Sequence, residues 1–377
     1  MTPDRNGPGQ KRILTLFPEL LGVGGIQEAG RLTAQAIDEI ASEHGWTAEF
    51  LSLNDPAGLQ ILKTSGREVF FRGFARAKAL FSLTALRSAR KNVQVVLAAH
   101  PHLALPVAVM KWHRPGIKSI VMSHGVEAWR PLGTLRRRAL LKADLMLAPS
   151  RFTAQKLAEV QGVSQETIRT LPWPLDPAFA RMAATPAALP VPNGFPRGHI
   201  ILTVGRWMAS ERYKGVDDLI RTVAQLGTSI PDLHLVAVGQ GDDLIRLRKL
   251  AAELGVAGRV LFLEYLPREQ IAACYSGTDV FVLPSTGEGF GFVFLEAMAF
   301  GKPVVAASAG GAPDIVHDGV NGLLVEAGNS RHLAEALKRL LRDDQLRATM
   351  GARAAAMVKN DFRFDTFKMR VEDVLSS

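Results

Sequence analysis

At 377 residues the chain has the length of about two domains. Its 47% apolar content describes an ordinary globular protein, and its one cysteine, Cys274, excludes an intramolecular disulfide and a cysteine-rich zinc site and favours a reducing compartment. The net charge of +9 is unevenly placed, with eight Lys or Arg against one acid, Glu68, over residues 61–91, but no nucleic-acid module accompanies it, and nucleic acid is not expected as a partner. The polar start, MTPDRNGPGQKR, leads straight into a strand and is read as lacking a signal peptide. No apolar run of about 18 residues follows that could span a membrane.

In chain order, the first half predicts strands at 12–17, 47–53, 93–99, 119–124, 144–150 and 167–171. Helical patterns at 26–44, 67–90, 132–143 and 151–161 lie between them. Continuous apolar strands alternating with helices predict a parallel sheet covered on both faces. From Pro172 to Pro196 seven of the 21 prolines fall within 25 residues, which predicts an irregular interdomain linker, set at 176–198, with the hinge for domain closure at 172–196. Alternation then restarts, with strands at 199–206, 233–241, 259–265, 279–285, 303–308 and 322–327 and helices at 331–343 and 346–360. The expected division is 1–175 for the first α/β domain, 199–360 for the second, and 361–377 returning to the first.

The segment GEGFGFVFLEAMAFGKPVV (287–305) follows a strand and opens a helix near Phe292. Gly287, Gly289 and Gly291 allow close backbone approach, and amides at a helix start suit an anion. Glu288 precedes the helix and Glu296 lies eight residues on, about two turns away on a related face. From the residues alone, a glycine-rich turn with one solvated and one structural carboxylate competes with a functional loop. In TVGRWMASERYKGVDDLI (203–220), Arg206 ends a strand and Lys214 precedes a helix. An Arg fork and a Lys point charge there suit a diphosphate, although a basic surface loop is the plain alternative.

The first of these segments, continued through GGAPDIVHDGVNGLLV (310–325), resembles the Glu-x7-Glu signature of retaining family 4 glycosyltransferases of bacterial type. The resemblance implies the GT-B fold, an α/β architecture of two Rossmann-like parallel-sheet domains facing each other across a cleft. It implies that Glu288 contacts hydroxyls of the donor sugar and that backbone around Phe290, Gly291 and Phe292 holds sugar and phosphate oxygens. Glu296 is implied to bind the nucleotide ribose, as a carboxylate accepting two hydroxyl bonds can. The second segment is similar to the family's "GR…KG" pattern, in which Arg206 and Lys214 bind the donor diphosphate. The Gly24-Gly25 pair, before the first helix, matches a loop near the donor phosphates. His124, in SHGVEAW (123–129), sits at the carboxyl end of a strand, where such folds bind ligands, and the resemblance implies contact with the donor sugar. Glu127 and Trp129 are expected towards the acceptor, and His100 and His102 as structural.

The function implied is a hexosyltransferase moving sugar from GDP- or UDP-hexose to a glycan or lipid-linked acceptor in polysaccharide or glycolipid synthesis. No cofactor is expected. Nor is a metal, since no Asp-x-Asp triplet ends a predicted strand and the histidines lack ligand spacing. With Glu288 assigned to hydroxyls no carboxylate nucleophile remains, so same-face substitution is expected. A nucleotide-sugar epimerase or hydrolase, a pyridoxal phosphate-dependent phosphorylase and a non-catalytic sugar-nucleotide sensor are the alternatives. The expected location is the cytoplasm. An amphipathic helix over 66–91, with Phe70, Phe71, Phe74, Leu80 and Phe81 among cations, is expected to dock on the anionic inner face of the membrane, against the alternative of an ordinary core-facing helix.

Overall fold

The computed structural model describes residues 11–377; the part of the N-terminal reading that falls on residues 1–10 lies outside the described residues. The chain separates into two compact units, one running to Pro174 and taking in Phe364–Ser377, the other Leu175–Arg363.

The first unit contains β1 (Arg12–Phe17), α1 (Gly25–His44), β2 (Thr47–Ser52), β3 (Gly58–Lys63), β4 (Glu68–Gly73), α2 (Lys78–Ala89) and β5 (Val95–Ala98). There follow α3 (Ala104–His113), β6 (Lys118–Met122), α4 (Thr134–Leu140), β7 (Leu145–Ala148), α5 (Arg151–Gln161) and β8 (Ile168–Thr170). Its sheet runs β3-β4-β2-β1-β5-β6-β7-β8, parallel throughout except where β3 meets β4. Leu14, Leu16, Val96 and Val121 on the central strands share one core with Phe81 and Ala85 of α2, Val107 and Met110 of α3, and Ala139 and Leu140 of α4. Those three helices therefore cover the same side of the sheet, with α3 packed between α2 and α4.

The expected helix over 67–90 is corrected. Residues 58–73 form an antiparallel hairpin in which β4 buries Val69, Phe71 and Gly73 and exposes Glu68, Phe70 and Arg72. That period of two is a strand's, and only 78–89 is helical. Ala75 and Arg76, both left-handed at φ 44° and 68°, separate the two. The single amphipathic helix proposed for membrane docking over 66–91 is thus not formed: Phe71, Phe74 and Phe81 are core, while Phe70 and Leu80 are exposed.

In the second unit α6 (Pro177–Ala184) comes first, then β9 (His199–Val204), α7 (Val216–Leu226), β10 (Leu233–Val238), α8 (Leu244–Glu253), β11 (Val260–Leu263) and α9 (Arg268–Gly277). The unit closes with β12 (Val280–Leu283), α10 (Phe292–Ala299), β13 (Val304–Ala307), β14 (Gly322–Val325), α11 (Ser330–Arg342) and α12 (Asp344–Asp361). Its sheet is wholly parallel in the order β11-β10-β9-β12-β13-β14. The order reverses between β9 and β12, the place where ligands bind in such sheets.

Residues 176–198, expected without regular structure, contain α6. Asp176 caps it by accepting from Ala178 N at 2.6 Å, with Pro177 at the first helical position, where a missing N–H costs nothing. The helix packs on α9 and α10, so this segment is built into the second unit. The final helix, α13 (Phe364–Ser376), belongs to the first unit and packs on α1. Lys11 and Lys118 donate to its last carbonyls, at Leu375 and Val374, both at 2.6 Å. Among the described residues no helix is long and apolar enough to cross a membrane.

Candidate active site

The topological switch point places two loops side by side. The first leaves β9 through Gly205 and Arg206, continues in a 3-10 turn at Ala209–Lys214, and enters α7 through Gly215. Its entry is held by contacts that only glycine permits: a Cβ on Gly239 would lie 1.8 Å from Gly205 O, and one on Gly241 would lie 2.0 Å from Trp207 O. Trp207 is buried beneath and donates its backbone N–H to Gln240 O. At the exit Gly215 is left-handed, φ 74°, and packs on Pro284 at the end of β12. Below the turn Arg246 bridges Asp217 and Asp243. Its hydrogen bonds to Asp243, with those of Arg212, overcome burial and hold the Asp243 carboxyl down to about 2.

These constraints bring Arg206 and Lys214 to one carboxylate, Glu211. Arg206 Nη2 is 2.5 Å from Glu211 Oε1, and Lys214 Nζ is 3.4 Å from Oε2. Lys214 Nζ also stands 4.0 Å from Glu288 Oε1. Lys214, Glu211 and Glu288 are mostly covered, whereas Arg206 is 58% exposed. Tyr213 is near both carboxylates; burial, then Glu211 and Glu288, push its phenol up, so it stays protonated.

The second loop joins β12 to α10. Thr286 N donates to Tyr213 O at 2.9 Å and ties it to the first loop. Gly287 has no room for a side chain against the Tyr213 ring. Gly310 and Gly311 clamp the backbone of Glu288: Gly311 N donates to Glu288 O at 2.8 Å, and a Cβ on Gly310 would lie 2.4 Å from the same oxygen. Gly291 caps α10 in a left-handed conformation, φ 99°, which starts the helix at Phe292. Glu288 is therefore outside the helix, and the expected two-turn relation to Glu296 is corrected, since Glu296 is the fifth residue of α10. Phe290 is buried against Phe292 and Phe362 and contributes backbone rather than a free ring. The Tyr275 hydroxyl donates to Glu296 Oε2 at 2.7 Å and orients that carboxylate.

In the first unit Gly24, φ 143°, caps α1, and Gly25 is its first residue. The loop before them is fastened from below by Asp55, which accepts from Leu20 N at 2.7 Å, Leu21 N at 3.0 Å and Ser52 Oγ at 2.6 Å. Arg31 donates to the carbonyls of Leu20 and Gly22. His124 follows β6. Its Nε2 is 2.7 Å from Ala99 O and, facing a carbonyl, carries the proton. Nδ1 is buried without a hydrogen-bond partner among the described residues. The ring stacks between Trp173 and His100, at 5.5 and 5.8 Å.

Glu127 and Trp129, expected towards the acceptor, are half-buried and make contacts within the first unit. Glu127 Oε1 accepts from Ser123 Oγ, His124 N and Gly125 N and so holds the His124 loop. Burial acts to raise its pKa, but His124 and these backbone N–H groups outweigh it and hold the carboxyl low. The Trp129 indole reaches Thr153 and packs on Phe152. His100 Nδ1 accepts from His102 N at 3.1 Å; burial and the nearby His124 lower its pKa to about 4.

The structure thus gathers Arg206, Lys214 and Glu288 in one place, and Glu296 on the helix that follows. Sequence reasoning missed Glu211, Tyr213, Tyr275, Asp55 and Gly310 as supports. Glu211 had a visible signal, an acid three residues before Lys214 inside the same motif.

Residues 191–357 match the family model "Glycosyl transferases group 1", and residues 30–179 match "Glycosyltransferase Family 4". The chain is 32% identical to a GDP-mannose-dependent alpha-(1-6)-phosphatidylinositol monomannoside mannosyltransferase of Mycolicibacterium smegmatis, over 70% of this chain and 71% of that protein. It is 36% identical to a D-inositol 3-phosphate glycosyltransferase of Nocardia farcinica over 58% of this chain, spanning half of that relative's length. Among solved structures it resembles Anabaena HepE in complex with UDP, with TM-score 0.72, 21% identity and coverage of 97% and 99% of the two chains. A glycosyltransferase from Rickettsia africae gives TM-score 0.75 at 19% identity, covering 97% and 98%.

Proposed function

The chain belongs to the family 4 glycosyltransferases of the GT-B fold, and from that premise we propose that it moves a hexose from a nucleoside diphosphate sugar to an acceptor hydroxyl, with retention and without a metal ion. The observation carrying this reading is the convergence of Arg206 and Lys214 beside Glu288 at the switch point. The bond between the anomeric carbon and the diphosphate oxygen breaks, and its electron pair leaves with the diphosphate. Arg206 and Lys214 meet that charge from fixed positions, one such donor being worth about 3 kcal/mol in related chemistry. Glu288 holds sugar hydroxyls and is not the nucleophile. The acceptor hydroxyl attacks from the face the diphosphate leaves, and its proton passes to a departing phosphate oxygen. Gly24, Gly25 and His124 are assigned to the donor phosphates and sugar, and Glu296 to the ribose, as family membership implies.

A GDP-hexose is the first donor to test, since the Mycolicibacterium smegmatis relative is a GDP-mannose-dependent enzyme. Thermal melting with GDP-mannose, GDP-glucose, UDP-glucose and UDP-N-acetylglucosamine should show stabilisation by a GDP or UDP sugar, since a ligand of the folded state raises the midpoint. Indifference to all four would contradict the reading.

We further propose a lipid-linked acceptor at an anionic membrane surface. The support is a charge distribution wider than 61–91: residues 69–143 contain 14 Lys or Arg and one acid, Glu127. This stretch more than accounts for the chain's net charge of +9, so the remainder is net acidic. It carries α2, α3 and α4, neighbours on one side of the sheet, which expose Leu80, Leu83, Leu105, Trp112 and Leu135 among the cations. Apolar groups within a cationic face suit an anionic interface, at about 1 kcal/mol per basic residue close to the lipid.

A further inference from the structure

Glu211 stands where the mechanism needs an anion of another kind. Its two oxygens face the two cations assigned to the diphosphate, Oε1 at 2.5 Å from Arg206 and Oε2 at 3.4 Å from Lys214. Glu211 is only 14% exposed in its side chain, so this is a covered ion cluster rather than a surface pair. With Glu288 included, two cations are balanced by two carboxylates. A diphosphate arriving on that cluster brings a third anion to donors already in use.

The carboxylate is also incompletely satisfied. Oε2 lies within ion-pair range of Lys214, yet it is buried and makes no hydrogen bond among the described residues. An under-bonded buried oxygen costs free energy in the ligand-free state, which makes its displacement cheaper. The turn that carries it is anchored on either side, where Ala209 N donates to Asp242 Oδ1 at 2.7 Å and Arg212 pairs with Asp243 at 2.9 Å. Between these anchors Glu211 itself departs from helical dihedrals, at φ −114° and ψ 25°. The backbone break in the turn therefore falls at the residue whose side chain has to move.

We propose that Glu211 is an internal stand-in for the donor diphosphate: it holds Arg206 and Lys214 in position in the empty site, is displaced by the incoming phosphates, and returns to help expel the nucleoside diphosphate product. The device rests on the reading of Arg206 and Lys214 as diphosphate ligands. It has two opposed consequences. Competition by Glu211 weakens nucleotide binding, and the same competition speeds product release, a step that often limits turnover. A carboxylate that only braced the turn would act in the other direction, because its loss would loosen both cations and weaken binding.

The test is titration calorimetry with GDP and with UDP on the wild-type chain, Glu211→Ala, Glu211→Gln and Arg206→Ala. The better-binding nucleotide on wild type is the probe, and steady-state transfer is measured with its sugar. Glu211→Ala should bind the probe about tenfold tighter, the scale of one charge-assisted contact no longer in competition, and should lower KM for the donor together with kcat. Glu211→Gln keeps the side-chain shape and carries the same expectation if the alanine variant does not melt cooperatively. Arg206→Ala should bind more weakly than wild type. Weaker Arg206→Ala binding with unchanged or weaker binding in the folded Glu211 variant overturns the stand-in role and leaves the diphosphate reading intact. Unchanged binding in Arg206→Ala overturns the diphosphate reading itself, and the stand-in role with it.

Discussion

Arg206 and Lys214 differ in how they are held, and that difference sets how each should respond to replacement. Lys214 is mostly covered and lies within reach of two carboxylates, so Lys214→Ala strips compensation from Glu211 and Glu288 as well as from a diphosphate. Arg206 is more than half exposed and, among the described residues, pairs with Glu211 alone, so its removal strips compensation from one covered carboxylate rather than two. We predict that Arg206→Ala lowers turnover by roughly 10²–10³, the loss expected for one preorganised charge donor, while its melting midpoint falls less than that of Lys214→Ala. Near-normal transfer by the folded variant would remove Arg206 from the mechanism. Lys214→Ala should lose both turnover and stability, read by the same assay and by thermal melting.

His100 makes a second prediction at this scale. Its Nδ1 accepts a backbone N–H and is held unprotonated, and burial with the nearby His124 lowers its pKa from 6.5 to about 4. Between those values the unfolded chain takes up a proton that the folded chain refuses. The stability it supports is thus complete above about 6.5 and is lost as pH falls through about 4. Urea unfolding midpoints measured from pH 7 to pH 4 should fall less steeply in His100→Asn, whose side-chain oxygen can still accept from His102 N. Parallel profiles would show that His100 contributes nothing to the acid limb.

At the scale of elements, the loop from β12 to α10 holds its shape because a second loop, after β13, presses glycine against it. Gly310 and Gly319 both have positive φ, at 59° and 71°, and alanine at either position is strained by about 1–2 kcal/mol. Only at Gly310 would the new Cβ meet Glu288 O, at 2.4 Å, whereas at Gly319 nothing lies within 4 Å. Gly310→Ala should therefore abolish donor binding in calorimetry and lose more stability than Gly319→Ala, which keeps donor binding. Equal donor affinity in the two variants would mean that the Glu288 backbone position is not what the glycine pair protects.

Elements whose apolar period matched their length were legible in the sequence: 12–17 and 151–161 have the predicted boundaries, and most other strands differ only by frayed ends. The failures share a physical cause. In 58–73 a two-residue period spans a hairpin turn, and the run of Arg and Phe through 67–90 masks the change of period at Gly73. Over 176–198 proline density suggested irregularity, yet Asp176-Pro177 is itself a helix-start signal. At the site, the charged residues that motifs isolate were legible. Their supports were not, because Tyr275 and Asp55 reach Glu296 and the Gly24 loop across the fold from 21 and about 34 residues away.

At the scale of the whole molecule, sequence charge and function meet in one distribution. One continuous stretch of the first unit is almost free of acid, while the remainder of the chain is net acidic. Random surface charge mixes both signs, and the segregation supports the anionic surface proposed above as partner. Sedimentation with vesicles of phosphatidylglycerol should carry the protein down at low salt and release it at high salt, and vesicles of phosphatidylcholine should not carry it down. Replacing Arg136 and Arg138 with Ser should weaken the first effect. Absence of binding to anionic vesicles at low salt would place the acceptor among soluble molecules.

The central claim, retaining transfer without a metal, is tested most directly by the stereochemistry of the product. The protein, treated with EDTA, is incubated with the nucleotide sugar that stabilises it and with a lipid or glycan acceptor, and the new glycosidic linkage is examined by proton NMR before it can anomerise. The account predicts the anomer of the donor, formed at an undiminished rate in EDTA. An inverted anomeric centre, or activity lost in EDTA and restored only by added divalent metal, would contradict it.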